Sequence, residues 1–272
     1  MKVGFIGTGS MGSILIESFI ESGALLAKEI IASNRSRRKV EQLAERYEGL
    51  RMAASNKEVV EQSQLVFLCV KPSEFKHVLS EIKLFTLPTQ IIVSITSPVM
   101  IADLEQQLNC KIAKVIPSIT NYVMSGVTLC VYGDRLQQDD KQTLDRLLSY
   151  VSEPIMVLEK FTRVSSDISS CGPAFFSLLL QKFIDAAVEE SGVSYPVASR
   201  LACEMLLGTG KLLTEGGFTP IELQQRVAVP GGITAEGLRL LDKELTGVFN
   251  QLFRITHAKY EEDQAKVAAS FA

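Results

Sequence analysis

A glycine-rich segment close to the N-terminus limits most strongly what this chain can fold into. Residues 7–12 read Gly-Thr-Gly-Ser-Met-Gly and directly follow the short apolar run from Val3 to Ile6. In such a context Gly7 permits a tight turn, Gly9 lets a pyrophosphate approach the backbone, and Gly12 lets a helix pack closely on a strand. The free N–H groups at the start of the following helix attract phosphate. The pattern therefore predicts a dinucleotide-binding strand–turn–helix unit.

Short β-branched runs alternate with amphipathic stretches through the first 160 residues, which is typical of a parallel sheet covered by helices on both faces. The expected strands are Val3–Ile6, Ile30–Ala32, Leu65–Val70, Ile91–Ile95, Ile112–Ile116, Val127–Tyr132 and Ile155–Leu158. The expected helices between them are Met11–Ser22, Arg37–Tyr47, Ser73–Leu84 and Asp139–Val151. After Glu159 the remaining sequence is helix-forming and interrupted by Gly and Pro. We therefore predict an α/β fold class, with a Rossmann-like doubly wound domain over residues 1–160 and an all-α domain over residues 161–272.

The first long helix of the second domain, expected from Pro173 to Glu190, is apolar around nearly its whole circumference. Such a helix must be buried on most sides. A single helical domain of this size cannot readily cover it, and an uncovered stripe of Phe and Leu would aggregate. We therefore expect a homodimer formed through the helical domain, with a larger homo-oligomer as an open alternative.

Composition excludes several other classes of protein. The formal charge is −3, without a basic block, which argues against a nucleic-acid partner or an acidic membrane surface. The five cysteines contain no CxxC pair and there are only two histidines, His77 and His257, so neither a disulfide framework nor a metal site is predicted. We expect the thiols to be free and buried and the histidines to lie on the surface. No apolar run is as long as the ~18 residues of a membrane span. We therefore expect a cytoplasmic protein that acts on a small-molecule substrate.

The end of the second expected strand indicates which dinucleotide is bound. NAD-binding domains place an acidic residue there for the ribose 2′-hydroxyl, whereas residues 33–38 here read Ser-Asn-Arg-Ser-Arg-Arg. A carboxylate would repel a 2′-phosphate, while Asn34, Arg35 and Ser36 can donate hydrogen bonds to it. The sequence therefore favours NADP(H), although a solvated basic helix start would give the same pattern.

Five motifs occur in one order and together resemble pyrroline-5-carboxylate reductase over essentially the whole chain. The motifs are the N-terminal fingerprint, Val70-Lys71-Pro72, Ile116-Pro117-Ser118, Ser170-Cys171-Gly172-Pro173-Ala174 and Val229-Pro230-Gly231-Gly232-Ile233-Thr234. In that family the Rossmann domain holds NAD(P)H, the helical domain intertwines with a second subunit, and hydride reduces a C=N bond to give proline.

The resemblance also implies roles for individual positions. It places the pyrophosphate at Gly7, Gly9, Ser10, Met11 and Gly12, the adenosine end at Asn34, Arg35 and Ser36, and the nicotinamide ribose beside Val70, Lys71 and Pro72. It places the substrate at Gly231, Gly232 and Thr234. The two glycines would offer N–H groups to its carboxylate, and Thr234 would be the catalytic proton donor to its ring nitrogen.

Several positions depart from the family pattern and leave alternatives open. Val229 and Ile233 stand where the family has Ser and Thr, Ser118 replaces Asn, and Thr219 replaces a common His. These losses of polar groups predict weak reduction of pyrroline-5-carboxylate, or a dinucleotide-binding regulatory protein without turnover. A β-hydroxyacid dehydrogenase using Lys182 is a third reading. Three of the candidate residues also have purely structural alternatives: Thr234 as a helix cap, Lys71 as a solvated loop residue and Cys171 as a packing residue.

Overall fold

The computed structural model describes residues 1–271 and contains one eight-stranded sheet. The strands are β1 (Val3–Ile6), β2 (Ile30–Ser33), β3 (Arg51–Met52), β4 (Leu65–Leu68), β5 (Ile91–Ser94), β6 (Lys111–Ile116), β7 (Val127–Tyr132) and β8 (Glu153–Met156). Their spatial order is β3-β2-β1-β4-β5-β6-β7-β8. The reversal of order between β1 and β4 is the place where open sheets of this kind bind dinucleotides.

The central strands form because they are apolar on both faces, as a doubly covered sheet requires. Val3, Phe5 and Phe67 point into one core, where the rings of Phe5 and Phe67 stack with centroids 5.0 Å apart. Ile6 and Val66 alternate with them and point into the core on the opposite face. Both faces are covered by helices, as the sequence predicts.

Twelve α-helices complete the part of the chain that the structure describes. They are α1 (Ser10–Glu21), α2 (Arg37–Arg46), α3 (Asn56–Glu61), α4 (Phe75–Ile82), α5 (Ile101–Gln107), α6 (Gln138–Leu148), α7 (Thr162–Ser166), α8 (Gly172–Ser191), α9 (Tyr195–Thr214), α10 (Pro220–Val227), α11 (Ile233–Leu245) and α12 (Val248–Phe271). A π-helical segment, Asp167–Cys171, connects α7 to α8.

The structure differs from the sequence prediction in one strand direction and in three short elements. Strand β7 is antiparallel to β6, because the segment joining them holds only the 3₁₀ turn Ile119–Val123 and no crossover helix. Strand β3 and helices α3 and α5 were not expected. Strand β3 has two residues and the helices have six and seven, too few for a periodic pattern.

The chain divides into two compact units, one containing Met1–Pro173 and Ile255–Ala272, the other Ala174–Arg254. The domain boundary that the sequence predicts after residue 160 stays a prediction, separate from this division into compact units. In the second unit, the hydrophobic cluster contains only three buried residues, Ile184, Ala198 and Ala202. Helix α8 was expected to be buried on most sides, but in the single chain Phe176, Leu178 and Phe183 on it are exposed.

The helical stretch Glu159–Ser191 contains an 18-residue window of mean hydropathy 1.3, which is long and apolar enough to cross a membrane by length and composition alone, a property that core helices of soluble proteins share. One expectation from composition is corrected by the structure. The cysteines are all free, but only Cys110 and Cys130 are buried, and Cys203 is exposed. His77 and His257 lie on the surface, as expected.

Candidate functional site

The glycine-rich loop joins β1 to α1 in a geometry that requires glycine at positions 7 and 12 and leaves open space at Gly9. Gly7 has φ +99°, and a Cβ there would lie 2.4 Å from the carbonyl oxygen of Cys69. A Cβ on Gly12 would lie 2.3 Å from the carbonyl oxygen of Gly7, so this position sets the close approach of helix and strand. A Cβ on Gly9 would meet nothing within 4 Å, so Gly9 faces open space.

The start of α1 is free to bind an anion. Gly9 is the N-cap residue and no side chain caps the helix, so the N–H groups of Ser10, Met11 and Gly12 are the unsatisfied donors of the first turn. The hydroxyl of Thr8 is buried and has no hydrogen-bond partner within residues 1–271. These donors surround the position where the motif predicts a pyrophosphate.

Asn34 has a structural role in addition to its expected place at the adenosine end. Its Oδ1 accepts a hydrogen bond from the backbone N–H of Thr8 (3.1 Å), and its Nδ2 donates to the carbonyl of Ser36 (3.1 Å). One side chain thus ties the glycine-rich loop to the residues after β2. This role could not be seen from the sequence, because the bond to Thr8 joins residues 26 positions apart.

A cleft of about 710 Å³ opens beside this loop, within the first compact unit. It brings together Gly7 and Gly9 with the expected adenosine and ribose residues Asn34, Arg35, Ser36, Val70 and Lys71. Residues that the sequence analysis had not selected also line it, namely Ser33, Lys39, Ala53, Ala54, Ser55, Asn56, Cys69, Ser73, Glu74, Val78 and Glu81, together with His77. Pro72 begins the adjoining 3₁₀ turn. A second cavity, of about 360 Å³, borders Thr8, Gly9, Ser10 and Lys39 on the side of α1 and α2.

The residues of this cleft fit an NADP(H) molecule. The loop offers N–H donors and an unpartnered hydroxyl to phosphate, and none of residues 33–39 is acidic. The two carboxylates that line the cleft have partners of their own: Glu74 lies 3.5 Å from Arg35, and Glu81 accepts from Asn56 and lies 3.1 Å from His77. Their charge is therefore partly compensated.

Two hydroxyl groups hold the backbone where the cleft borders the carboxyl ends of the strands. The hydroxyl of Thr96, which follows β5, donates to the carbonyl of Val70 (2.9 Å) and fixes the chain where β4 ends. Ser118 is fully buried after β6, where its hydroxyl donates to the carbonyl of Ser169 (2.9 Å). Both hydroxyls therefore support the backbone around the carboxyl ends of the strands.

A buried ion pair lies beside the segment that follows β5. The ammonium of Lys114, on β6, lies 2.6 Å from Glu159 and also donates to the carbonyl of Ser97. Burial lowers the pKa of Lys114, and the contact with Glu159 opposes that effect. Tyr260 on α12 donates to the same Ser97 carbonyl. The pair thus supports the segment after β5, and the sequence had given no reason to select it.

The expected substrate loop lies in the second unit, at the start of α11. Gly231 has φ +74° and Gly232 is the N-cap residue, so Thr234 lies in the first turn and is not the cap. Its side chain is exposed. The N–H of Gly232 donates to the carbonyl of Val229 (2.9 Å), which differs from its expected role as a free donor. The N–H groups of Ile233 and Thr234 are the unsatisfied donors of this helix start.

The other candidates remain separate from this chemistry. Lys182 is an exposed residue of α8 in the second unit. Cys171 lies in the π-helical segment, where an Arg163 nitrogen is 3.2 Å from its sulfur. Among residues 1–271, no group of three His, Cys, Asp or Glu side chains is arranged to hold a metal ion.

A fold and loop of this kind define a class: oxidoreductases with a Rossmann-like dinucleotide domain followed by a helical domain. Two protein-family models match the chain in this order. Residues 2–98 match "NADP oxidoreductase coenzyme F420-dependent", and residues 159–263 match "Pyrroline-5-carboxylate reductase dimerisation".

Relatives define the family more narrowly. ComE operon protein 4 of Bacillus subtilis is 42% identical over 100% of this chain and 99% of its own length. Human pyrroline-5-carboxylate reductase 2 is 33% identical over 89% of this chain and 77% of its own. The chain therefore belongs to the pyrroline-5-carboxylate reductase family, as the resemblance predicts.

Solved structures of reductases share the fold. The Plasmodium falciparum pyrroline carboxylate reductase with NADP bound has a TM-score of 0.82 at 24% identity, covering 100% of this chain and 98% of that one. The Coxiella burnetii pyrroline-5-carboxylate reductase has a TM-score of 0.83 at 24% identity, covering 99% and 98%. The prediction of NADP(H) as cofactor is confirmed at the level of the family.

Proposed function

We propose that this protein is an NADPH-dependent reductase of a small cyclic imino acid, with Δ1-pyrroline-5-carboxylate as the first substrate and proline as its product. The observation that carries the proposal is the uncapped start of α1 beside a cleft whose β2 end is basic and contains no acidic residue. Membership of the reductase family supports the C=N substrate class.

Each part of the chain has a proposed task. Gly7, Gly9, Ser10, Met11 and Gly12 bind the pyrophosphate, with the Thr8 hydroxyl as an additional donor. Asn34, Arg35 and Ser36 contact the adenosine end, and Val70, Lys71 and Pro72 border the nicotinamide ribose. NADPH supplies the hydride, so the protein needs to orient the substrate more than it needs strong acid or base groups.

The substrate contacts belong to the loop before α11. We propose that the free N–H groups of Gly231, Ile233 and Thr234 bind the substrate carboxylate, with the Gly232 N–H holding the turn. The Thr234 hydroxyl donates a hydrogen bond to the ring nitrogen. Its exposure leaves this hydroxyl available to a ligand.

We also propose a homodimer formed through the helical domain. Phe183 is 63% exposed in the single chain although it belongs to a long apolar helix. Contiguous apolar surface of this kind marks a protein interface. The match of residues 159–263 to a dimerisation domain supports a second copy of this chain as the partner.

A second function has its own support. ComE operon protein 4 is more similar to this chain than the human reductase is, at 42% against 33% identity, and the loop before α11 carries apolar Val229 and Ile233. We therefore keep a dinucleotide-binding regulatory protein without turnover as the alternative.

One experiment separates the two functions. NADPH binding is measured by calorimetry, and NADPH consumption is then followed with pyrroline-5-carboxylate and a panel of other cyclic imines, with a typical family reductase as positive control. Binding together with imine-dependent consumption supports the reductase. Binding without consumption for every imine supports the regulatory protein, and failure to bind NADPH contradicts both.

A further inference from the structure

We infer that Lys39 is the main residue by which this protein distinguishes NADP(H) from NAD(H), ahead of Arg35. The inference rests on the proposed cofactor and names the positive charge that meets its 2′-phosphate. Lys39 was not selected by the sequence motif, which ends at the residues immediately after β2.

Lys39 lies at the edge of the cofactor cleft, at the start of α2. Its backbone N–H donates to the carbonyl of Ser36 (3.1 Å), so it lies in the first turn of α2, above the end of β2. It lines both the large cleft and the neighbouring cavity, each of which also borders Gly9. Lys39 therefore lies between the pyrophosphate loop and the ribose end of the cleft.

The other positively charged or titratable basic groups of the cleft are already paired or lie elsewhere. Arg35 is 90% exposed at its side chain and lies 3.5 Å from Glu74. His77 lies 3.1 Å from Glu81. Lys71 follows β4, which is two strands away from β2 in the sheet, a separation of about 10 Å.

Lys39, by contrast, has no carboxylate within 4 Å among residues 1–271. The N-terminus of α2 adds its partial positive charge to that of Lys39, because the side chain of the N-cap residue Ser36 makes no capping bond. An ammonium without a competing carboxylate is available in full to a phosphate dianion, whereas Arg35 must share its charge with Glu74. A charge-assisted contact of this kind changes affinity by about ten- to a hundredfold.

The test uses the full chain and two probes that lack nicotinamide, adenosine 2′,5′-bisphosphate and 5′-AMP. Calorimetry gives the ratio of their dissociation constants for the wild type and for Lys39→Gln, Lys39→Arg, Arg35→Gln and Arg38→Gln. Arg38 is the matched control, because it carries the same charge on the same helical turn but does not line the cleft. Circular dichroism verifies that each variant is folded.

We expect the wild type to prefer the bisphosphate, and Lys39→Gln to lose about tenfold or more of that preference while AMP affinity stays unchanged. Lys39→Arg should retain most of the preference, and Arg35→Gln and Arg38→Gln should lose less than Lys39→Gln. An unchanged ratio in Lys39→Gln, or a larger loss in Arg35→Gln, would overturn the inference and leave the proposed function intact. A wild type that binds neither NADPH nor the probes would refute the proposed function itself.

Discussion

Two buried thiols make the stability of the fold depend on pH in the alkaline range. Burial raises the pKa of Cys110 to about 11 and that of Cys130 to about 12, from an ordinary value of 9.0. Both side chains are fully buried. As pH rises above 9.0, the unfolded chain therefore releases these protons before the folded protein does, and this favours unfolding.

We predict that the free energy of unfolding falls between about pH 9 and pH 11, by up to ~1.4 kcal/mol per pH unit for each thiol. Urea denaturation across this range measures the slope. Cys110→Ala with Cys130→Ala should make the slope shallower, whereas Cys203→Ala, which removes an exposed thiol, should not. Equal slopes in all three proteins would show that the thiols do not titrate as described.

Some residues of the cleft could be predicted from the sequence and others could not. The motif identified Gly7 and Gly12 because a Cβ at either position would collide with the backbone, and Gly9 because it leaves open space where a pyrophosphate can approach. It could not show that Asn34 holds the loop or that Thr96 supports Val70, since those contacts depend on which strands are neighbours in the sheet. Lys39 was missed because a lysine in a basic helix start has no distinguishing pattern.

Among the helices, the start of α11 is the one that we propose to hold the substrate. Val229 and Ile233 are exposed in the single chain, Ile233 by 95%, so replacing them removes no buried contact within the subunit. Restoring polar side chains there adds hydrogen-bonding groups near the proposed substrate. The cofactor cleft lies in the first compact unit and this loop in the second.

We predict that Val229→Ser with Ile233→Thr raises kcat/KM for pyrroline-5-carboxylate by about tenfold or more, since one hydrogen bond to a charged group contributes about 1.5 to 3 kcal/mol. The dissociation constant of NADPH should stay unchanged, and Thr234→Ala should lower kcat/KM. Steady-state kinetics beside calorimetry measure both quantities. A change in NADPH affinity as large as that in kcat/KM would contradict the assignment of this loop to the substrate.

Element prediction succeeded where hydrophobic patterns were long. The seven expected strands and the four expected helices of the first domain all occur, with ends shifted by a few residues. Strand β3 and helices α3 and α5 were missed because they are short. The direction of β7 was missed, although the connection from β6 to β7 is too short for the crossover helix that a parallel pair needs.

In the molecule as a whole, the second unit leaves a large apolar surface exposed in the single chain. Its buried cluster of three residues is small beside the two cores of the first unit. The apolar character of α8 was predicted correctly, but in the single chain Phe176, Leu178 and Phe183 on this helix are exposed. The expectation of burial is met only if a second subunit covers α8.

We predict a dimer at micromolar concentration in sedimentation velocity, with Phe183→Glu shifting the protein to monomers or to aggregates and lowering its thermal midpoint. Leu84→Glu is the matched control, because Leu84 is 82% exposed in the first unit and should remain dimeric. A wild type that stays a stable monomer would contradict the proposed interface.

The measurement that decides between a reductase and a protein without turnover is the amount of proline formed per NADPH consumed when the purified protein is incubated with pyrroline-5-carboxylate. Chromatography measures proline and absorbance measures NADPH. We predict one proline for each NADPH, at a rate below that of a typical family reductase because of Val229, Ile233 and Ser118. Tight NADPH binding with no proline formed, and no reduction of any other cyclic imine, would contradict the reductase and identify a dinucleotide-binding protein without turnover.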